Sequence, residues 1–157
     1  MTGIEPNIQT MKKMIIVLSF LLPGTILLAQ DKYHRAPEKV KETFSRDYPE
    51  AKKTHWYERN GEWQASFNDR DNGDMTAYYN RNGEHRESRI PYTKHDVPSP
   101  VLDRVNEKYP GAHDMEFTKI ERHGEDNQYM VSVNHHGRHR TVYLDEQGQE
   151  RKYNGHH

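Results

Sequence analysis

The segment Pro37-Glu-Lys-Val40-Lys-Glu-Thr-Phe44-Ser-Arg-Asp-Tyr48-Pro49 returns as Pro98-Ser-Pro-Val101-Leu-Asp-Arg-Val105-Asn-Glu-Lys-Tyr109-Pro110. In each copy the apolar residues recur every four positions (Val40, Phe44, Tyr48, then Val101, Val105, Tyr109). That spacing draws one apolar stripe down a helix. Glu38, Lys39, Lys41, Glu42 and Arg46 cover the rest of the first helix, and Leu102 widens the second stripe. Pro37 and Pro98 suit a helix start, where a missing N–H costs nothing. Pro49 and Pro110 stop the helix by pushing the preceding tyrosine out of the α region.

The match continues outward from this segment. Ala51 aligns with Ala112 and Trp56 with Phe117. Trp63-Gln-Ala65-Ser-Phe67 aligns with Tyr129-Met-Val131-Ser-Val133. Ala77-Tyr78-Tyr79-Asn80 and Gly83 align with Val142-Tyr143-Leu144-Asp145 and Gly148. Two copies of one unit therefore fill residues 31–93 and 94–157, an internal repeat that outranks other fold signals.

Strands follow each helix. Asn60-Gly61, Asn72-Gly73 and Asn82-Gly83 separate alternating segments, and Asn-Gly supplies the positive φ angles of tight hairpins. His123-Gly124, His136-Gly137 and Gln147-Gly148 punctuate the second unit. Three turns imply about four antiparallel strands per unit. Trp63, Ala65, Phe67, Ala77, Tyr79, Tyr129, Val131, Val133, Val142 and Leu144 should face the helices. Glu62, Gln64, Ser66, Thr76, Tyr78, Met130, Ser132, Thr141 and Tyr143 should face away. The expected architecture is α+β, two tandem repeats with helices on one face of the sheet. A unit of about 60 residues is marginal alone, so the two should pack together, with joined sheets as one arrangement. Ile90 to Val97 reads as the connector.

Residues 11–30 read as a cleavable signal peptide. Lys12 and Lys13 precede the apolar run Met14–Leu28, and Ala29 offers a small residue at the cut. The run is short of the roughly 20 residues that span a membrane and carries Pro23-Gly24, so no stable insertion after cleavage is expected. Met11 stands directly before the lysines, so the sequence leaves Met1 and Met11 both open as the start, with residues 1–10 an N-terminal extension. Removing residues 1–30 leaves a net charge of about −2 on a polar chain with mean hydropathy −1.21. No basic face for nucleic acid follows from that balance. With Cys 0, neither a disulfide framework nor a lipidated cysteine is available, and stability must come from packing and sheet hydrogen bonds.

The pattern Pro-x-x-Val-x-x-x-Phe-x-x-x-Tyr-Pro-x-Ala, then Trp56, Asn60-Gly61, Trp63-x-Ala65-x-Phe67 and a closing Tyr78-x-Asn80-x-x-Gly83 hairpin, resembles the PepSY-like, β-lactamase-inhibitor-like family of exported bacterial proteins. The resemblance covers residues 36–153, and the Leu28-Ala29-Gln30 signal ending is similar to those of Bacteroidetes-type bacteria. It implies an α+β fold with helices on one face of an antiparallel sheet. It also implies a periplasmic or secreted, non-catalytic protein. The matched positions are mostly core positions, so the resemblance speaks to fold and location.

Tyr57, Tyr78, Met130 and Tyr143 should project from the sheet face away from the helices, and such side chains anchor protein recognition. Tyrosines also pair across strands without any partner. His135, His136 and His139 cluster at one turn, and imidazole suits zinc, copper or nickel. A dedicated site needs a further ligand and supporting groups, and a solvated turn explains the same residues. Asp69-Arg-Asp71-Asn72-Gly73-Asp74 looks like a calcium loop, but its Gly is fifth rather than sixth and Asn80 stands where the twelfth-position Glu belongs. A hairpin turn accounts for it. No Cys nucleophile, Gly-x-Ser-x-Gly elbow, His-Glu-x-x-His helix or phosphate-cradling loop occurs. The reading is a non-enzymatic exported binding module with no cofactor. Its expected partner is a protein or peptide in the periplasm or outside the cell, with inhibition of an envelope or secreted enzyme the sharpest version. The alternatives are an envelope metal- or ligand-binding protein using the His-rich turn, and a structural envelope component.

Overall fold

The apolar stripes become two short helices, α1 (Glu38–Asp47) and α2 (Ser99–Lys108). Pro37 and Pro98 are their N-caps, and the N–H of Tyr48 and of Tyr109 closes the last turn on Phe44 and Val105. The computed structural model describes residues 35–153 and Gly155. The signal-peptide reading of 11–30, the extension 1–10 and the terminal His156-His157 lie outside the described residues.

Seven strands follow the turn punctuation: β1 (Lys52–Arg59), β2 (Glu62–Asp69), β3 (Gly73–Asn80), β4 (His85–Tyr92), β5 (His113–Glu121), β6 (Gln128–His135) and β7 (Arg138–Asp145). They form one antiparallel sheet in sequence order. The two-residue turn Asn60-Gly61 has φ of 54° and 83°, and His136-Gly137 has 52° and 69°. These are the values a tight hairpin between twisted strands demands. His136 thus does the work that Asn60 does in the first half.

Each helix covers its own part of the sheet. Val40 and Phe44 pack on Trp63, Ala65, Phe67, Met75, Ala77, Tyr79 and Ile90. Val101 and Val105 pack on Phe117, Tyr129, Val131, Val133, Val142 and Leu144. The first core is aromatic: the Phe44 ring lies 4.9 Å from Phe67 and 5.1 Å from Trp56 in edge-to-face contacts. The second is mostly aliphatic. Every core-facing strand residue named from the alternation is buried.

The turns after β3 and β7 share one hydrogen-bond pattern. Asn80 Oδ1 accepts the N–H of Asn82 and Glu84, and Asp145 Oδ1 accepts that of Gln147 and Gln149. Each turn presses its glycine against a helix start. A Cβ on Gly83 would meet the Lys39 carbonyl oxygen at 2.8 Å, and one on Gly148 would meet that of Pro100 closer still. Both glycines also have positive φ, so two constraints exclude a side chain there.

The structure departs from the sequence reading in two places. Ile90, Pro91 and Tyr92 are not connector but the end of β4, hydrogen-bonded to β5. The joined arrangement lets β4 and β5 close each other's edges. Among the described residues the second half also has three strands rather than four. After Gly148 the chain makes a single bridge, Leu144 to Glu150, and Arg151 N–H donates to the Tyr143 carbonyl at 2.8 Å. Beyond Arg151 and Lys152, the Tyr153 side chain lies against β4 and β7 residues instead of extending the sheet.

On the helix side, Ser88 Oγ meets His85 Nε2 at 2.9 Å and hydrogen-bonds the Tyr48 hydroxyl. Burial disfavours the His85 charge and lowers its pKa below the ordinary 6.5, although Asp47, Glu87 and Glu121 act in the opposite direction. The unfolded state then binds more protons than the native state between the lowered pKa and about 6.5. Stability from this group is complete above pH ~6.5 and falls as pH drops toward the folded pKa. Urea midpoints measured from pH 7.5 downward should fall through this window. His85→Gln should flatten that part of the profile, and an unaltered profile would contradict the assignment.

Candidate functional site

The helix-free face of the sheet carries a row of polar and aromatic side chains. In register across it run Tyr57, Gln64, Tyr78 and Glu87 from β1 to β4. Met130 pairs with Tyr143 on β6 and β7. Tyr57 is exposed, and Tyr78, Met130 and Tyr143 are half-buried. All of them lie on the face expected from alternation.

At the centre of this face lies a buried carboxylate. Glu87 is only 4 % exposed, although it faces away from both cores. Arg89 Nε donates to its Oε1 at 2.7 Å, while Arg122 Nε and Nη2 donate to Oε2 at 3.0 and 2.7 Å. The Tyr153 hydroxyl donates to the same carboxylate at 3.1 and 3.3 Å. Arg89 Nη2 in turn donates to the Tyr153 oxygen at 2.6 Å. The phenol thus has both a donor and an acceptor facing it.

Stacking completes the cluster. The Tyr153 ring lies 4.9 Å from that of Tyr143, at 20°. The guanidinium carbons of Arg89 and Arg122 stand 5.5 and 5.3 Å from its centroid, and Arg89 also sits 4.7 Å over Tyr78. These are cation–π distances. Ile120, 1 % exposed, pairs with Arg89 in register and contributes an apolar residue to this face.

Electrostatics follow the geometry. Burial opposes the Arg89 charge, but the hydrogen bond to Glu87 and the charges of Tyr78 and Glu87 more than offset it, so its pKa moves up. Burial raises the Tyr78 and Tyr153 pKa values, with Glu87 adding to both. Tyr153 therefore remains a neutral phenol that can donate to Glu87.

The face is concave. Gln64 on β2, Tyr78 on β3, Arg89 on β4 and Tyr143 on β7 line one hollow with Tyr153, of about 220 Å³. On a flat sheet β2 and β7 would lie about 24 Å apart. The hollow is smaller than ordinary cofactor or small-molecule sites, which start at roughly 300 Å³. It is the size of a side chain.

Solved structures share this architecture. The fold is BLIP-like. A BLIP-like protein of Bacteroides fragilis superposes with a TM-score of 0.68, at 17% identity over 77% of this chain and 86% of that one. A DUF2874 family protein of Bacteroides uniformis gives 0.69 at 16% identity, over 75% and 88%. A protein of Bacteroides eggerthii described as a candidate periplasmic protein gives 0.68 at 15% identity, over 76% and 88%. No protein-family model and no curated protein matches the chain.

Within the BLIP-like fold the three turn histidines do not converge. The His135 ring lies 5.6 Å from Tyr109, toward α2, and 4.0 Å from His136. His139 pairs with Asn134, which alternation puts on the other face. Among the described residues no three His, Cys, Asp or Glu side chains sit as a metal-holding group. Asp69 behaves as a turn residue: its Oδ1 accepts the N–H of Asp71 and Asn72 and the Asn72 amide. No helix among the described residues is long and apolar enough to cross a membrane.

Glu87, Arg89, Arg122 and Tyr153 were not singled out by sequence. Glu87-x-Arg89 on one strand hints at a same-face pair. Nothing local could show that Arg122, 35 positions on, and Tyr153, 66 positions on, close on the same carboxylate. Removing that carboxylate takes the ion-pair partner from Arg89 and leaves Arg122, with a side-chain exposure of 10%, facing Glu125 at 3.5 Å. Breaking such a pair costs about 3 kcal/mol or more. Glu87→Ala should lower unfolding stability in urea by that amount. A loss under about 0.5 kcal/mol, the range of ordinary surface substitutions, would show the cluster to be solvent-screened.

Proposed function

We propose that this chain is an exported, non-enzymatic binding module that recognises a protein or peptide with the concave face of its sheet. The observation that carries the reading is the concentration of Tyr57, Tyr78, Met130, Tyr143 and Tyr153 on that face, with arginines ordered among them. Tyrosine and arginine dominate protein recognition sites. Fixing Arg89 and Arg122 beforehand lowers the ordering cost on association. Inhibition of an envelope or secreted enzyme is the sharpest form of this function, and the BLIP-like description of the Bacteroides fragilis protein supports it by analogy of fold.

Export to the periplasm or beyond, by cleavage near residue 30, agrees with the description of the Bacteroides eggerthii protein. The reading of each half as one copy of a PepSY-like unit draws support from matched details. Lys53 and Asp114 both have positive φ beside a break in strand register, and the turns after β3 and β7 hydrogen-bond alike.

Immobilised mature protein should retain a specific partner from periplasmic extract or culture medium. Tyr57→Ala with Tyr143→Ala should weaken that capture at least about tenfold, since anchor residues carry 2 kcal/mol or more, while circular dichroism stays native. Equal capture by both proteins would remove the concave face from the function. Unfolding of the double variant would assign both tyrosines to the core.

A further inference from the structure

The Tyr153 contacts describe a site as well as a tail. A phenol ring here meets a stacking partner, a donor to its oxygen, an acceptor for its proton and two cations near its face. Tyr143 stands on β7, and Glu87, Arg89 and Arg122, from β4 and the residue after β5, hold one another without Tyr153: Glu87 bonds both arginines directly, and Arg122 Nη1 donates to Gln128 at 3.0 Å. Tyr153 differs from them. It comes two residues after Arg151, whose N–H donates to the Tyr143 carbonyl, and its side chain reaches back to Glu87, Arg89 and Tyr143.

The geometry points to a receptor pocket for a tyrosine side chain, built by Glu87, Arg89, Arg122 and Tyr143, filled in cis by Tyr153 and opened to an exposed tyrosine of a partner protein when the C-terminal segment withdraws. This rests on the reading of the concave face as the binding surface and names the chemistry at its centre. The pocket selects phenol over a plain aromatic ring. Phenylalanine would stack, but would leave the inward-facing Arg89 donor and the Glu87 acceptor without their partner, a penalty a buried polar site imposes strongly. A phosphate or free carboxylate is disfavoured, because Glu87 faces the same space and already pairs both guanidiniums.

The cis arrangement also sets a threshold. A tethered side chain competes at an effective concentration of order millimolar. A lone tyrosine on a partner would displace it poorly. A partner that also engages Tyr57, Tyr78 and Met130 across the concave face gains the additional contacts that displacement requires. The C-terminal residue thus screens out weak encounters.

Tyr153→Ala opens the pocket and, changing a side chain outside both hydrophobic cores, should leave the fold unchanged. N-acetyl-tyrosinamide titrated into this variant should produce saturable NMR shifts at Glu87, Arg122 and Tyr143. Binding to the parent should be at least about tenfold weaker because of cis occupancy. N-acetyl-phenylalaninamide should bind the variant about tenfold more weakly than the tyrosine probe. Absence of saturable shifts up to the probe's solubility, or equal binding of both probes, would overturn the proposal. Should the variant not fold, the parent carrying 3-fluorotyrosine gives the same answer. The Tyr153 fluorine signal should move toward its solvent-exposed position as the tyrosine probe is added, and an unmoved signal would contradict the pocket. Light scattering on the parent should show a monomer. A dimer dissolved by Tyr153→Ala would instead mean that tails exchange between copies, and would overturn the partner-protein reading. Failure of these titrations with partner capture still sensitive to Tyr57 would reject the pocket alone. Loss of that sensitivity would reject the face.

Discussion

Ser88 pairs with Glu121, Arg89 with Ile120, Ile90 with Lys119, Pro91 with Thr118 and Tyr92 with Phe117. This seam between β4 and β5 is where two thin cores become one structure. Neither half buries enough apolar surface to be comfortable alone, and each would otherwise present an open strand edge. The seam is reinforced on both faces. On the helix side Tyr92 packs against both cores, with its ring 6.2 Å from Tyr129. On the other side Glu87 from β4 holds Arg122, the residue immediately after β5. The same pairing that closes the sheet therefore assembles the candidate site.

That coupling explains why so charged a cluster is buried on a face with no helix over it. A carboxylate with two guanidiniums and a phenol is costly to desolvate, and such clusters seldom add net stability relative to apolar packing. Their strength is in geometry: each member fixes the rotamer of the next. Here the result is a polar centre on the face that also carries Tyr57, Tyr78, Met130 and Tyr143, with Tyr78 under Arg89 and Tyr143 stacked on Tyr153. In the proposed reading such a surface recognises another macromolecule, with the hollow beside Tyr153 the size of a side chain.

Much of the fold was legible in local sequence because its signals are local. The Val40-Phe44-Tyr48 and Val101-Val105-Tyr109 stripes, the prolines that bound them and the glycine turns each act over a few residues. Strand alternation then placed Tyr57, Tyr78, Met130 and Tyr143 on the correct face without any tertiary information. The seam was read as connector because Pro91 and the polar residues after Tyr92 look like loop, whereas Pro91 tolerates a strand position through its neighbours' pairing. In place of an eighth strand the chain after Gly148 makes one bridge, Leu144 to Glu150, and Tyr153 then finds partners across the sheet. The Glu87 cluster was invisible because it depends on contacts among β4, the end of β5 and the C-terminus that no local pattern encodes. The turn histidines gave the opposite lesson. Their closeness in sequence was real, but His136 answers to turn geometry and His135 to Tyr109, so proximity along the chain did not become a ligand set.

The account stands on the seam, and native-state amide hydrogen exchange tests it most directly. If β4 and β5 bind the two halves into one cooperative unit, the seam amides of Ser88, Arg89, Ile90 and Tyr92 and of Phe117 to Glu121 should exchange only through global opening, with protection equal to that of β2, β3 and β6. Seam amides that exchange orders of magnitude faster than those strands, or halves that open at separate free energies, would contradict it.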